Sequence, residues 1–105
     1  MEHLKIGDDF VIKKVEYRQS VGGAWVDGTI HGYQFSVLVF PEHAKEASYE
    51  IGDSRISKFW LQRIKTGELV FNWDRGLDIG ARTSEVQEIV DFLCSTVAAA
   101  IYDAT

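Results

Sequence analysis

Apolar and polar positions alternate with a period of two from Ala24 to Ile30 (A-W-V-D-G-T-I) and again from Tyr33 to Phe40 (Y-Q-F-S-V-L-V-F), with His31-Gly32 between the runs. That period marks a strand with one buried face, and a two-residue loop carrying glycine is a primed-turn signal, so the stretch predicts a β-hairpin. The loop fixes the register: Ile30 faces Tyr33, Gly28 faces Phe35, Val26 faces Val37 and Ala24 faces Val39, which makes one side continuously apolar. Thr29, Asp27 and Trp25 lie on the other side against Gln34, Ser36, Leu38 and Phe40, polar near the turn and aromatic at the far end. Phe35 opposite Gly28 lays a ring over backbone that glycine leaves bare.

Phe10 to Arg18 (F-V-I-K-K-V-E-Y-R) predicts a first strand, with Val11, Lys13, Val15 and Tyr17 on one side and Phe10, Ile12, Lys14 and Glu16 on the other; Ser20 to Gly23 then turns the chain. Pro41 to Ser54 has no clear period and is expected as a loop, of a length that is often functional or mobile. Ile56 to Ile64 and Leu69 to Trp73 predict a second hairpin around Thr66-Gly67, pairing Ile64 with Leu69, Gln62 with Phe71 and Trp60 with Trp73. In that arrangement Phe59 and Leu61 share a side with Val70, while Trp60, Phe71 and Trp73 share the other.

The chain closes with one helix. Ser84 and Gln87 have the spacing of a capping box, and Val86, Ile89, Val90, Leu93, Val97, Ala100 and Ile101 recur at helical spacing on one face. Every strand connection is short and none holds a crossover helix. The expected fold is therefore α+β: an antiparallel meander of about five strands packed on one C-terminal helix, forming a single domain over residues 1–105.

Composition narrows the function classes. Hydrophobic residues make up 46% and aromatics 12%, with one Pro and no low-complexity run, as in a folded globular chain. A formal net charge of -5, with the basic residues scattered, argues against nucleic acid as a partner. The lone Cys94 excludes an internal disulfide and fits a small core residue in a reducing compartment. No window reaches the roughly 18 apolar residues of a membrane span, and the first residues carry no apolar signal core, so a cytoplasmic location is expected.

Candidate chemistry is sparse, and no catalytic, metal or cofactor constellation emerges. In W-D-R-G-L-D, Asp74 and Asp78 bracket Arg75 and Gly76, but the arginine opposes a cation and a hydrogen-bonded turn accounts for the pattern. In G-D-S-R-I-S-K, Ser57 and Lys58 are adjacent on a strand and point to opposite faces, which rules against a nucleophile dyad. Arg55 is expected to pair with Asp53 or Glu50, or else to bind an anion together with Lys58. A small-ligand or minor enzymatic site is then a reading built on Arg55, Asp74, Arg75 and Asp78 at one end of the sheet. His3, His31 and His43 have no metal spacing and are assigned to solvent.

The aromatic surplus is more informative. One helix covers one side of a sheet, which leaves Trp25, Leu38 and Phe40, with Trp60 and Trp73 or with Phe59 and Leu61, to be covered by the 41–54 loop, by a second copy of the chain or by a foreign partner. Trp25, Leu38, Phe40, Trp60 and Trp73 are the candidate partner-binding residues. Homodimerisation through this face, or through the first strand as an edge, is expected, and Phe92, lying off the helix's apolar stripe, adds to that expectation.

The stretches W-V-D-G-T-I-H-G-Y-Q-F, I-G-D-S-R-I-S-K-F-W and F-N-W-D-R-G-L-D resemble a family of short bacterial and phage proteins known only as a domain of unknown function. The resemblance covers Trp25 to Asp78, with the first strand and the final helix as additions to the pattern. It implies a cytoplasmic accessory protein of a mobile element, a setting in which small proteins more often bind than catalyse. It carries over no site residues.

Overall fold

In the computed structural model, which describes residues 5–103, the alternating runs form a six-stranded antiparallel sheet whose strands follow one another in sequence order. The strands are β1 (Val11–Tyr17), β2 (Ala24–Ile30), β3 (Tyr33–Val39), β4 (Ile56–Arg63), β5 (Leu69–Asp74) and β6 (Leu77–Ile79). One α-helix, α1 (Ser84–Ala98), follows and ends in a π-helical turn over Ala99–Asp103. The α+β meander packed on a C-terminal helix is the predicted fold, with one strand more than expected. That strand is β6, whose three residues are too few to show a period.

The β2–β3 register is the predicted one, from Ile30↔Tyr33 through Gly28↔Phe35 to Ala24↔Val39. His31 (φ 50°) and Gly32 (φ 82°) both take the left-handed conformation that a primed two-residue turn requires. The apolar side of this hairpin packs against α1, where Val86, Ile89, Val90, Leu93, Val97 and Ala98 are buried. Burying each of the larger side chains, such as Ile89 or Leu93, contributes about 2 kcal/mol. Ala100, expected on the stripe, is exposed, because the change to π-helical winding after Ala98 turns it away.

Three local expectations are corrected. In β1 the pairing slips between Ile12 and Lys14, so Lys13 is a bulge residue. A bulge exchanges the faces on either side of it. As a result Ile12 and Val15, expected on opposite sides, both pack against the core, whereas Val11 is exposed. In the second hairpin the connection is a four-residue loop, not a two-residue turn: the Arg63 N–H donates to the Glu68 carbonyl and Gly67 (φ 75°) closes the loop. A further slip then sets Leu61 opposite Phe71, Phe59 opposite Trp73 and Trp60 opposite Asn72. A one-residue change in register moves side chains to the other face, so Phe71 and Trp73 join Phe59 and Leu61 on the helix side and Trp60 is left alone. Finally, the helix cap is Thr83, one residue earlier than read. Its hydroxyl accepts from the Val86 N–H at 3.1 Å, while the Gln87 side chain reaches forward to Asp91, so there is no capping box.

Phe92 is also corrected. Its ring meets Phe10 edge to face at 5.4 Å and lies against Gly7, and it is partly buried on the core. The segment before β1 covers it, so it offers nothing to a second copy.

Candidate functional site

The sheet face opposite α1 is built from the outward positions of β2 to β5. Two rows of the ladder define it: Trp25, Leu38, Lys58 and Asp74 in one, Asp27, Ser36, Trp60 and Asn72 in the next. All of these except Leu38, together with Gln34, Phe59 and Trp73, line an open concavity of about 490 Å³. Leu38 is only 2% exposed although it lies outside the core cluster, flanked in register by Trp25 and Lys58. Trp25 and Trp60, two strands apart, remain partly exposed. Ser36 donates to Asp27 at 2.6 Å, and Lys58 pairs with Asp74 at 3.7 Å.

The five aromatic and aliphatic residues read as partner-binding therefore divide. Trp25 and Trp60 line the open face, with Leu38 beneath them. Trp73 packs partly against the core while also lining the edge of the concavity, and its indole N–H donates to the Tyr49 carbonyl at 3.2 Å. Phe40 lies at the sheet end, with its ring against Gly23 and under the Arg18 guanidinium at 5.6 Å. None of Trp25, Phe40, Trp60 and Trp73 is fully covered.

A second concavity, of about 460 Å³, opens at that sheet end between the 41–55 loop, the β1–β2 turn and the β5–β6 turn. Arg55 and Arg75 both line it; Asp74 and Asp78 do not. Asp74 belongs to the open face, and Asp78 accepts from the Asn72 side chain at 2.9 Å. Arg55 pairs with Asp103 at 2.6 Å and donates to the Pro41 carbonyl at 2.9 Å, and so pairs with neither Asp53 nor Glu50 as the sequence suggested. The loop is irregular apart from a 3₁₀ turn at Ala47–Tyr49, and one carboxylate organises it. Glu50, 5% exposed, accepts the backbone N–H groups of Ala44 (2.6 Å) and Arg55 (2.7 Å), and His43 Nδ1 lies 3.0 Å from it. Burial pushes the Glu50 carboxyl up, but the hydrogen bonds from His43, Ala44 and Arg55 outweigh it and hold the group below its ordinary value. Nothing in the local sequence pattern marks Glu50, because two of its three partners are backbone amides, which every residue carries.

The histidines are not simply solvated. His31 Nε2 lies 3.2 Å from a Glu85 oxygen, and the Tyr33 hydroxyl donates to the other at 2.8 Å, which ties the β2–β3 turn to the first turn of α1. His3 lies outside the described residues. Among the described residues no group of three or more His, Cys, Asp or Glu side chains could hold a metal ion, and no helix is long and apolar enough to cross a membrane. Burial pushes the Cys94 thiol up to about 12, and the Asp91 charge adds to this while a hydrogen bond from Ser54 opposes it.

A six-stranded meander closed by a C-terminal helix, with an open aromatic face, defines a small α+β domain. The family model of the domain of unknown function DUF7678 matches residues 24–98, and the chain belongs to that family. The match runs from the first residue of β2 to the last of α1. The final helix is thus part of the family pattern and not an addition to it, whereas β1 lies outside. No curated protein and no solved structure matched the chain.

Proposed function

We propose that this chain is a non-enzymatic protein-interaction module whose recognition surface is the sheet face opposite α1, with Trp25 and Trp60 as its anchors. One observation carries the reading: two tryptophans remain partly exposed in an open concave face. Tryptophan is enriched at the centres of interfaces, because one side chain supplies a large apolar area and a hydrogen-bond donor. The polar groups around the pair, among them Asp27, Gln34 and Asn72, give the mixed surface of a partner that also exists free in solution.

The first occupant we assign to this face is a second copy of the chain. Around a two-fold axis a residue pair on one protomer meets the same pair reversed on the other, so Trp25 of one copy would face Trp60 of its partner. Sedimentation velocity of the wild type and of Trp25→Asp tests this, with a dimer expected for the first and a folded monomer for the second. An accessory role in a phage or another mobile element, in the cytoplasm, belongs to the same reading, and the genes neighbouring this one would test it.

A further inference from the structure

We propose that the cavity at the sheet end, separate from the Trp25–Trp60 face, binds a small carboxylate with an apolar body, the carboxylate meeting Arg75 and the body lying against Phe40, Pro41 and Tyr49. Three observations carry this. First, the Arg75 guanidinium lies 5.7 Å from the centroid of the Tyr49 ring, and among the described residues it pairs with no carboxylate. The other arginine of the cavity, Arg55, is held by Asp103 and by the Pro41 carbonyl. A planar guanidinium with free donors is suited to a two-point grip on a carboxylate.

Second, the walls are built. Glu50 organises the loop through two backbone amides and His43, and the Arg75 N–H donates to the Ser57 carbonyl at 2.8 Å, which fixes the turn that carries the guanidinium. A volume of about 460 Å³ is within the usual range for a small-molecule site. Third, Arg55 (φ 65°) and Arg75 (φ 55°) are two of the three non-glycine residues at positive φ among the described residues, and both line this cavity. Held strain of this kind gathers at ligand clamps. Of the charged groups lining the cavity, Glu50 is taken up by the Ala44 and Arg55 amides and Arg55 by Asp103, while Glu42 opposes an anion and Lys45 favours one, so Arg75 is the guanidinium left to meet a carboxylate.

The test is a titration of the full chain with hexanoate, with hexylamine as the cation of the same apolar body and N-acetylleucine standing in for a protein C-terminus. Amide NMR shifts at Ala44, Tyr49 and Arg75 are the readout. Hexanoate is expected to shift these amides saturably and hexylamine to leave them in place; N-acetylleucine binding more tightly than hexanoate would assign the site to a chain terminus and overturn the small-molecule assignment. In Arg75→Gly, where glycine suits the positive φ and folding is preserved or improved, hexanoate should bind at least tenfold more weakly at an unchanged or higher Tm. The proposal is overturned if hexanoate gives no saturable shift, if Arg75→Gly binds it equally well, or if hexylamine binds as hexanoate does. Each result leaves the sheet-face reading untouched, because the two surfaces share none of these residues.

Discussion

Gly28 and Phe35 face each other across the β2–β3 ladder so closely that a Cβ on Gly28 would lie 2.7 Å from the Phe35 ring and collide with the Val11 carbonyl oxygen. Glycine is required there by contact and not by backbone angle. The ring fills the space of the missing side chain while β1 closes from the other edge. Gly28→Ala must displace either the buried ring or the β1 backbone, at a cost of about 2 kcal/mol or more. Urea unfolding of the variant against wild type measures it, and a loss under about 0.5 kcal/mol, the range of surface substitutions, would contradict the packing described.

The Tyr33 hydroxyl, on a buried ring, joins β3 to Glu85 at the start of α1. Tyr33→Phe removes one hydrogen bond to a partly exposed carboxylate and leaves the ring in place, so it should cost about 1 kcal/mol. Burial, then the hydrogen bond and charge of Glu85, hold the phenol above its ordinary value. Burial also holds the Tyr102 phenol up, so absorbance titration should show two tyrosines ionising later than in the unfolded chain, and Tyr33→Phe should remove one of the two.

Glu50 gives the chain an acid-sensitive loop. Its folded-state pKa lies below the ordinary value of 4.5, so its contribution is fully present above that value and is lost as pH falls through the folded one. Stability measured by urea unfolding should fall in that window for wild type and fall less for Glu50→Gln. At neutral pH Glu50→Ala, which leaves the Ala44 and Arg55 amides unpaired, should cost about 2 kcal/mol.

The two hairpins show what the sequence could and could not carry. Between Ala24 and Phe40 strict alternation, a glycine turn and a glycine facing a phenylalanine all agree, and the register was legible to the residue. Between Ile56 and Asp74 both faces hold aromatics, so no alternation selects among registers, and neither the four-residue loop nor the slip between Leu61 and Gln62 leaves a mark in the pattern. The bulge at Lys13 was hidden for a similar reason, since V-I-K-K-V-E-Y offers an apolar residue to either side. As for the sites, Trp25 was legible as an outward aromatic, whereas Trp60 was one of two alternatives, paired with Trp73 against Phe59 with Leu61. Of the end cavity only Arg55 and Arg75 were named, together with Asp74 and Asp78, which lie elsewhere, because its other walls, Phe40, Tyr49 and the Gly22-Gly23 turn, come from segments far apart in sequence.

Cys94 should be inert in the native protein. With its thiol held up to about 12 by burial, almost none is thiolate at pH 8. Reaction with a disulfide reagent such as DTNB should be slow in buffer and fast in denaturant, and rapid native labelling would place the thiol in a different environment.

The central claim is that Trp25 and Trp60 form the core of an interface, and sedimentation velocity at tens of micromolar, with circular dichroism as the check on folding, tests it most directly. The account predicts a wild-type dimer and a Trp25→Asp chain that stays folded and sediments as a monomer. A wild type that sediments as a monomer across that range, or a Trp25→Asp chain that unfolds as a core substitution would, contradicts it.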